Sequence, residues 1–148
     1  MITEDYVSFE TAKLLKEKGF NERCISVYHD GELQLVSSLG IFCSEGYGEQ
    51  ILAYTNSECE WSPIMISAPT LQMAMKWLRD VQGLNIYALG VWKDVEVQYG
   101  DWEPAVVGYN WFVESLMDDT YSKMSKELFL TYEQACEAAI KYCLENLI

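Results

Sequence analysis

The stretch CISVYHDGELQLVS, residues 24–37, decides the reading of this chain. Two β-prone runs, 24–29 and 32–37, meet across Asp30-Gly31. Asp-Gly supplies two adjacent residues that tolerate positive φ, which a two-residue hairpin turn requires. On the first run Ile25 and Val27 point one way and Cys24, Ser26 and Tyr28 the other, as the period of a strand dictates. An antiparallel hairpin is therefore expected near the start of the chain.

Working outward, a helix is expected before this hairpin. Ser8 is suited to cap it, Phe9, Ala12 and Leu15 share one face, and Gly19 offers a left-handed stop. After the hairpin, residues 40–63 carry Gly40, Gly46 and Gly48, with a strand expected over 50–55. A second helix follows, capped by Thr70 and ended by Gly83. Its Leu71, Ala74, Met75 and Leu78 recur at helical spacing, and Val81 extends the stripe. Strands are then expected over 85–92, pairing with 95–99, and over 105–116. Val95, Val97 and Tyr99 alternate with Glu96 and Gln98, the pattern of an antiparallel sheet covered on one side. The last helix starts at Thr131, with Gln134 three residues on in capping-box position and an apolar stripe running to Leu147. The expected class is α+β: an antiparallel sheet of hairpins with three amphipathic helices packed against it, in one globular domain spanning 1–148. The three helices open alike, with a cap, an apolar residue, Glu or Gln, any residue, then Ala. Capped amphipathic helices share this pattern in general, which accounts for it without the β-β-α duplication that is the alternative.

Half of the 148 residues are hydrophobic, so the chain can form a core and is not a disordered tail. A chain of this length buries roughly 70% of its unfolded surface, enough to need no disulfide or metal staple. The five cysteines are odd in number and form no CxxC, which argues against a disulfide framework or a zinc ribbon. The opening MITEDYVSFE has neither the basic nor the apolar region of a secretory signal, and no apolar run reaches about 18 residues. A cytoplasmic protein is expected, with free thiols in a reducing compartment.

The formal net charge is −13 and its layout is uneven. No Lys or Arg occurs between Arg23 and Lys76, where there are six acids, nor between Lys93 and Lys123, where there are seven. Those thirteen acids equal the net charge, and the remainder is balanced. Nucleic-acid binding relies on arrays of Lys and Arg that displace counterions. Direct nucleic-acid binding is thus not expected, nor is binding to an anionic membrane. Acidity of this kind serves solubility or docks a basic partner.

Few residues suggest catalysis. His29 is the only histidine, so a His-based metal cluster cannot form within one chain. Cys136 and Cys143 lie on the apolar stripe of the last helix and read as core. Cys43 and Cys59 lie in irregular segments without a nearby cation to lower a thiol pKa. Paired carboxylates occur at Glu58 and Glu60, Asp94 and Glu96, Asp101 and Glu103, and Asp118 and Asp119. None belongs to an EF-hand loop, and no metal or other cofactor is assigned. Gly46-Tyr-Gly48 lacks the rest of a phosphate loop. The tryptophans Trp61, Trp77, Trp92, Trp102 and Trp111 would mark a protein interface wherever they are exposed.

Three helical segments, VSFETAKLLKEKGF (7–20), APTLQMAMKWLRDV (68–81) and TYEQACEAAIKYCLENLI (131–148), resemble a family of small uncharacterised proteins of anaerobic gut bacteria. The family is often associated with prophages or mobile elements. The resemblance covers about a third of the chain, implies an accessory, phage-related role and transfers no site residue. The leading expectation is a non-enzymatic, protein-binding accessory protein. Its candidate partner-binding residues are Asp94, Glu96, Asp101, Trp102 and Glu103. A DNA mimic, with carboxylates in place of phosphates, and a small enzyme with a Cys nucleophile are the alternatives. No catalytic residue and no oligomeric state is assigned.

Overall fold

The computed structural model describes residues 4–40, 52–58, 62 and 64–148. Cys43, Cys59, Trp61, the Gly46-Tyr-Gly48 motif and the first two residues of the strand expected over 50–55 lie outside the described residues. The fold is α+β, with three helices packed against antiparallel sheets, and the sheet structure is divided into two three-stranded parts. By its internal contacts the chain forms two compact units, Met1–Ala74 and Met75–Ile148.

In the first unit, α1 (Phe9–Glu17) is capped by Ser8, whose hydroxyl accepts from the Thr11 N–H at 3.2 Å. β1 (Ser26–His29) and β2 (Glu32–Leu35) form the expected hairpin, with Asp30 at φ 51° and Gly31 at φ 81° in its turn. A 3-10 turn, Val36–Leu39, follows. β3 (Met65–Ser67) pairs with the other side of β1, so β1 is the central strand. Both of its edges are thus paired, and both of its faces are covered. Val27 packs with Val36, Tyr54 and Met65, while Tyr28 faces α1, stacks tilted on Phe9 and donates its hydroxyl to the Val7 carbonyl at 2.7 Å. Ile25 departs from the expected alternation. The backbone bends there, between the Cys24–Tyr54 bridge and the start of the ladder, and the side chain is exposed. Residues 52–55 contribute that single bridge rather than a strand. Buried Asn56 holds the unit together through both ends of its amide. It donates to the Phe20 carbonyl at 2.8 Å and accepts from the Ser67 N–H at 2.9 Å. A buried amide satisfied in this way stabilises, whereas one left unpaired would be costly.

α2 (Leu71–Gln82) begins at Thr70, whose hydroxyl accepts from the Met73 N–H at 3.3 Å, and the unit boundary falls within it. Leu71, Ala74, Met75 and Leu78 are buried as the periodicity predicts, but Val81 is exposed. At 3.6 residues per turn, Val81 lies about 80° from Leu71 around the helix, at the margin of the stripe.

In the second unit, β4 (Leu84–Gln98) and β5 (Asp101–Ser115) form one long hairpin, and β6 (Ser122–Met124) adds to β5 at Phe112–Glu114. The expected break between 92 and 95 is absent. Lys93 and Asp94 pair with Ala105 and Pro104 inside the ladder, and the chain reverses at Tyr99-Gly100, with φ 42° and 91°. Glycine is the residue that accepts such a φ without strain, so the turn falls where Gly100 stands rather than at Lys93-Asp94. α3 (Tyr132–Asn146), capped by Thr131, packs on β4 and β5. The unit's core joins Ile86, Trp111 and Val113 of the sheet to Cys136, Ala139, Ile140, Cys143 and Leu144 of the helix. Gly108 lets the 128–129 segment cross the sheet closely. A Cβ there would stand 2.6 Å from Leu128 and 2.8 Å from the Phe129 carbonyl oxygen.

The two sheets are wired differently, in the orders β2-β1-β3 and β4-β5-β6. The first strand is central in one and the middle strand in the other, so topology does not support a β-β-α duplication.

Candidate functional site

Lengths alone leave part of the β4–β5 hairpin bare. A 15-residue strand spans about 50 Å, whereas a 15-residue helix spans about 22 Å. α3 covers the half near Ile86 and Trp111, and the half beyond Gly90 forms an arm that outruns α3 and is largely exposed. Trp92 is 66% exposed, Trp102 62% and Tyr99 97%.

All five sequence-predicted residues fall on this arm, and the ladder brings them together. Glu96 pairs with Trp102, Val95 with Glu103, Gln98 with Asp101, and Asp94 with Pro104. Cross-strand partners share a face. One face of the arm therefore carries Trp92, Asp94 and Glu96 from β4 and Trp102, Pro104 and Val106 from β5. It continues the face that α3 covers lower down. A bulge between Val91 and Trp92, where Val107 is the extra residue, keeps Trp92 and Val106 opposite each other. Glu103 and Asp101 lie on the reverse face with Lys93, so the five candidates do not form one surface.

Trp92, Pro104 and Val106 complete the face; sequence named Trp92 only among the tryptophans that would mark an interface if exposed, and Pro104 and Val106 not at all. Their signal was the i, i+2 repeat Trp92-Asp94-Glu96 opposed to Trp102-Pro104-Val106, which becomes meaningful only once the turn is placed at Tyr99-Gly100.

The acids of the arm differ from others in their surroundings. Glu58 pairs with Arg23 at 2.8 Å, and Asp80 pairs with Lys76 and Arg79. Hydrogen bonds from Lys76 and then Arg79 hold the Asp80 carboxyl below the usual range. Asp118 is lowered by its hydrogen bonds from the Thr120 hydroxyl and N–H, at 2.6 and 2.9 Å, which close the β5–β6 turn. Among the described residues, no cation forms an ion pair with Asp94, Glu96, Asp101 or Glu103. Glu96 has a local task as well, accepting from the Gly100 N–H at 2.9 Å across the turn. Four acids sit near the tip of the hairpin, and Glu114, Asp118 and Asp119 near its base. The two groups are roughly 35–45 Å apart along β5. The seven acids of the second cation-free stretch are thus not a single patch, which weakens the DNA-mimic alternative.

The other chemistry-bearing residues are placed as follows. His29 ends β1, half-buried, paired with Glu32 and Met65. The thiols of Cys136 and Cys143 are raised by burial, that of Cys143 to about 12, so both stay protonated and weakly nucleophilic near neutrality. Cys24 is also buried. Among the described residues, no group of three or more His, Cys, Asp or Glu side chains is arranged to hold a metal ion. No helix among them is long and apolar enough to cross a membrane. Comparison of the chain with protein-family models, with curated proteins and with solved structures returns no match.

Proposed function

We propose that the chain is a non-enzymatic, protein-binding accessory protein whose contact surface is the β4–β5 arm. The observation that carries this reading is the pair of exposed indoles, Trp92 and Trp102, on one arm face beside carboxylates that form no ion pair among the described residues. A folded protein gains no stability from large apolar side chains held in water, whereas tryptophan is the residue most enriched at the energetic centres of interfaces. The accessory, phage-related character rests on the resemblance of the helical segments alone.

The test is affinity capture from a bacterial lysate with three baits: the native chain, Trp92→Ala/Trp102→Ala, and Asp118→Asn/Asp119→Asn. A protein retained by the native and Asp118/Asp119 baits and lost from the tryptophan variant is expected. Identical recovery on all three baits would remove the arm as the contact surface.

A further inference from the structure

We infer that the Trp92/Trp102 face of the arm takes an extended, arginine-bearing segment of a partner protein, an inference that rests on the contact role proposed for the arm. Three features of the face select this occupant.

The first is charge. Asp94 and Glu96 stand on the face, no cation among the described residues forms an ion pair with either, and Lys93 belongs to the reverse face. A partner must supply the positive charge. A second copy would bring the same carboxylates, and an anionic membrane would be repelled. Pro104 also removes one backbone donor from β5, which blunts that edge as a template for self-pairing.

The second is spacing. Asp94 and Glu96 are two residues apart on β4, about 7 Å along the strand. Side chains on one side of any extended segment repeat at the same interval, so cations at alternate positions of the partner meet both carboxylates in register.

The third is the flanking indoles. Trp92 lies two residues before Asp94, and Trp102 lies directly across from Glu96. A guanidinium is planar and weakly hydrated. It stacks on an indole while donating paired hydrogen bonds to a carboxylate, and an ammonium does this less well. The carboxylate of Glu96 is already oriented by its bond from the Gly100 N–H.

The experiment measures fluorescence anisotropy of a labelled octapeptide alternating Arg and Thr, against its Lys-Thr counterpart of equal charge, with the full chain at about 0.15 M salt. The Arg peptide is expected to bind several-fold more tightly than the Lys peptide. Trp92→Ala/Trp102→Ala should weaken the Arg peptide about tenfold, and Trp92→Phe/Trp102→Phe should retain part of the binding. Asp118→Asn/Asp119→Asn should change nothing. Because both indoles are already exposed, the variants should keep the native circular dichroism and melting temperature. Absence of binding, equal affinity for the two peptides, or an Arg-peptide affinity unchanged in the tryptophan variant would overturn the inference. So would a dimer in sedimentation that the Trp92→Ala/Trp102→Ala change abolishes, which would assign the face to a second copy. Should lysate capture depend on the arm while the Arg peptide fails, only the arginine assignment falls; should both fail, the contact role falls with it.

Discussion

Tyr121 shows how a single residue records the packing of the second unit. Its hydroxyl meets that of Tyr142 at 3.3 Å, and this hydrogen bond, followed by burial, pushes its pKa from 10.0 to about 12. Burial pushes the neighbouring Cys143 thiol from 9.0 to about 12. Both groups keep their protons in the folded chain over a range where the unfolded chain has released them. Their contribution to stability is therefore complete below about pH 9 and is lost as pH rises towards 12. The urea midpoint should fall between about pH 9 and pH 11, and less steeply in Tyr121→Phe. A fall of equal slope in the variant would place the alkaline sensitivity elsewhere. None of this could be read from the sequence, where Tyr121 and Tyr142 are 21 residues apart and nothing marks them as neighbours. Cys143, by contrast, was readable as a core residue from its position on the stripe, because helical spacing is a local property.

At the scale of elements, the β4–β5 hairpin is the structure's main departure from expectation. The signals that worked were short-range ones. Ser8, Thr70 and Thr131 cap their helices as expected, and Asp30-Gly31 makes its turn. The turn of the long hairpin is equally local, but Tyr99 is an unusual residue at positive φ and masked the signal of Gly100. Gly100→Ala should destabilise the arm by about 1 kcal/mol, whereas Tyr99→Asn should stabilise it by a few tenths, because Asn-Gly suits this turn. Amide hydrogen exchange of residues 92–106 is the measurement, since a bare arm can open without global unfolding. Faster exchange in Gly100→Ala and slower exchange in Tyr99→Asn are expected. Exchange in the arm unaffected by either change would contradict the observed turn.

For the whole molecule, the net charge of −13 sets the balance between solubility and self-repulsion. Asp80 and Glu58 are compensated by cations within reach, and among the described residues the arm acids form no ion pair. Raising sodium chloride from about 0.01 M to about 0.5 M shortens the Debye length and should raise the melting temperature. Neutralising Asp94, Asp101 and Glu103 to their amides should reduce that gain. Glu96 is spared in this variant because it caps the turn. A melting temperature independent of salt would mean that the acids lie too far apart to repel one another appreciably.

By itself, the amino-acid sequence determined the α+β class, the three helices with their caps, the first hairpin, and the gathering of acids and tryptophan on residues 94–103. Each of these depends on neighbours within a turn or a strand repeat, so the information is local. Only the tertiary structure decided that β1 is buried on both sides, that the sheet is in two parts, and that β4 and β5 outrun α3. Coverage depends on which distant element packs where and on how far it reaches. A 15-residue helix cannot cover a hairpin whose strands are each 15 residues long, and this difference in rise per residue leaves Trp92 and Trp102 in water.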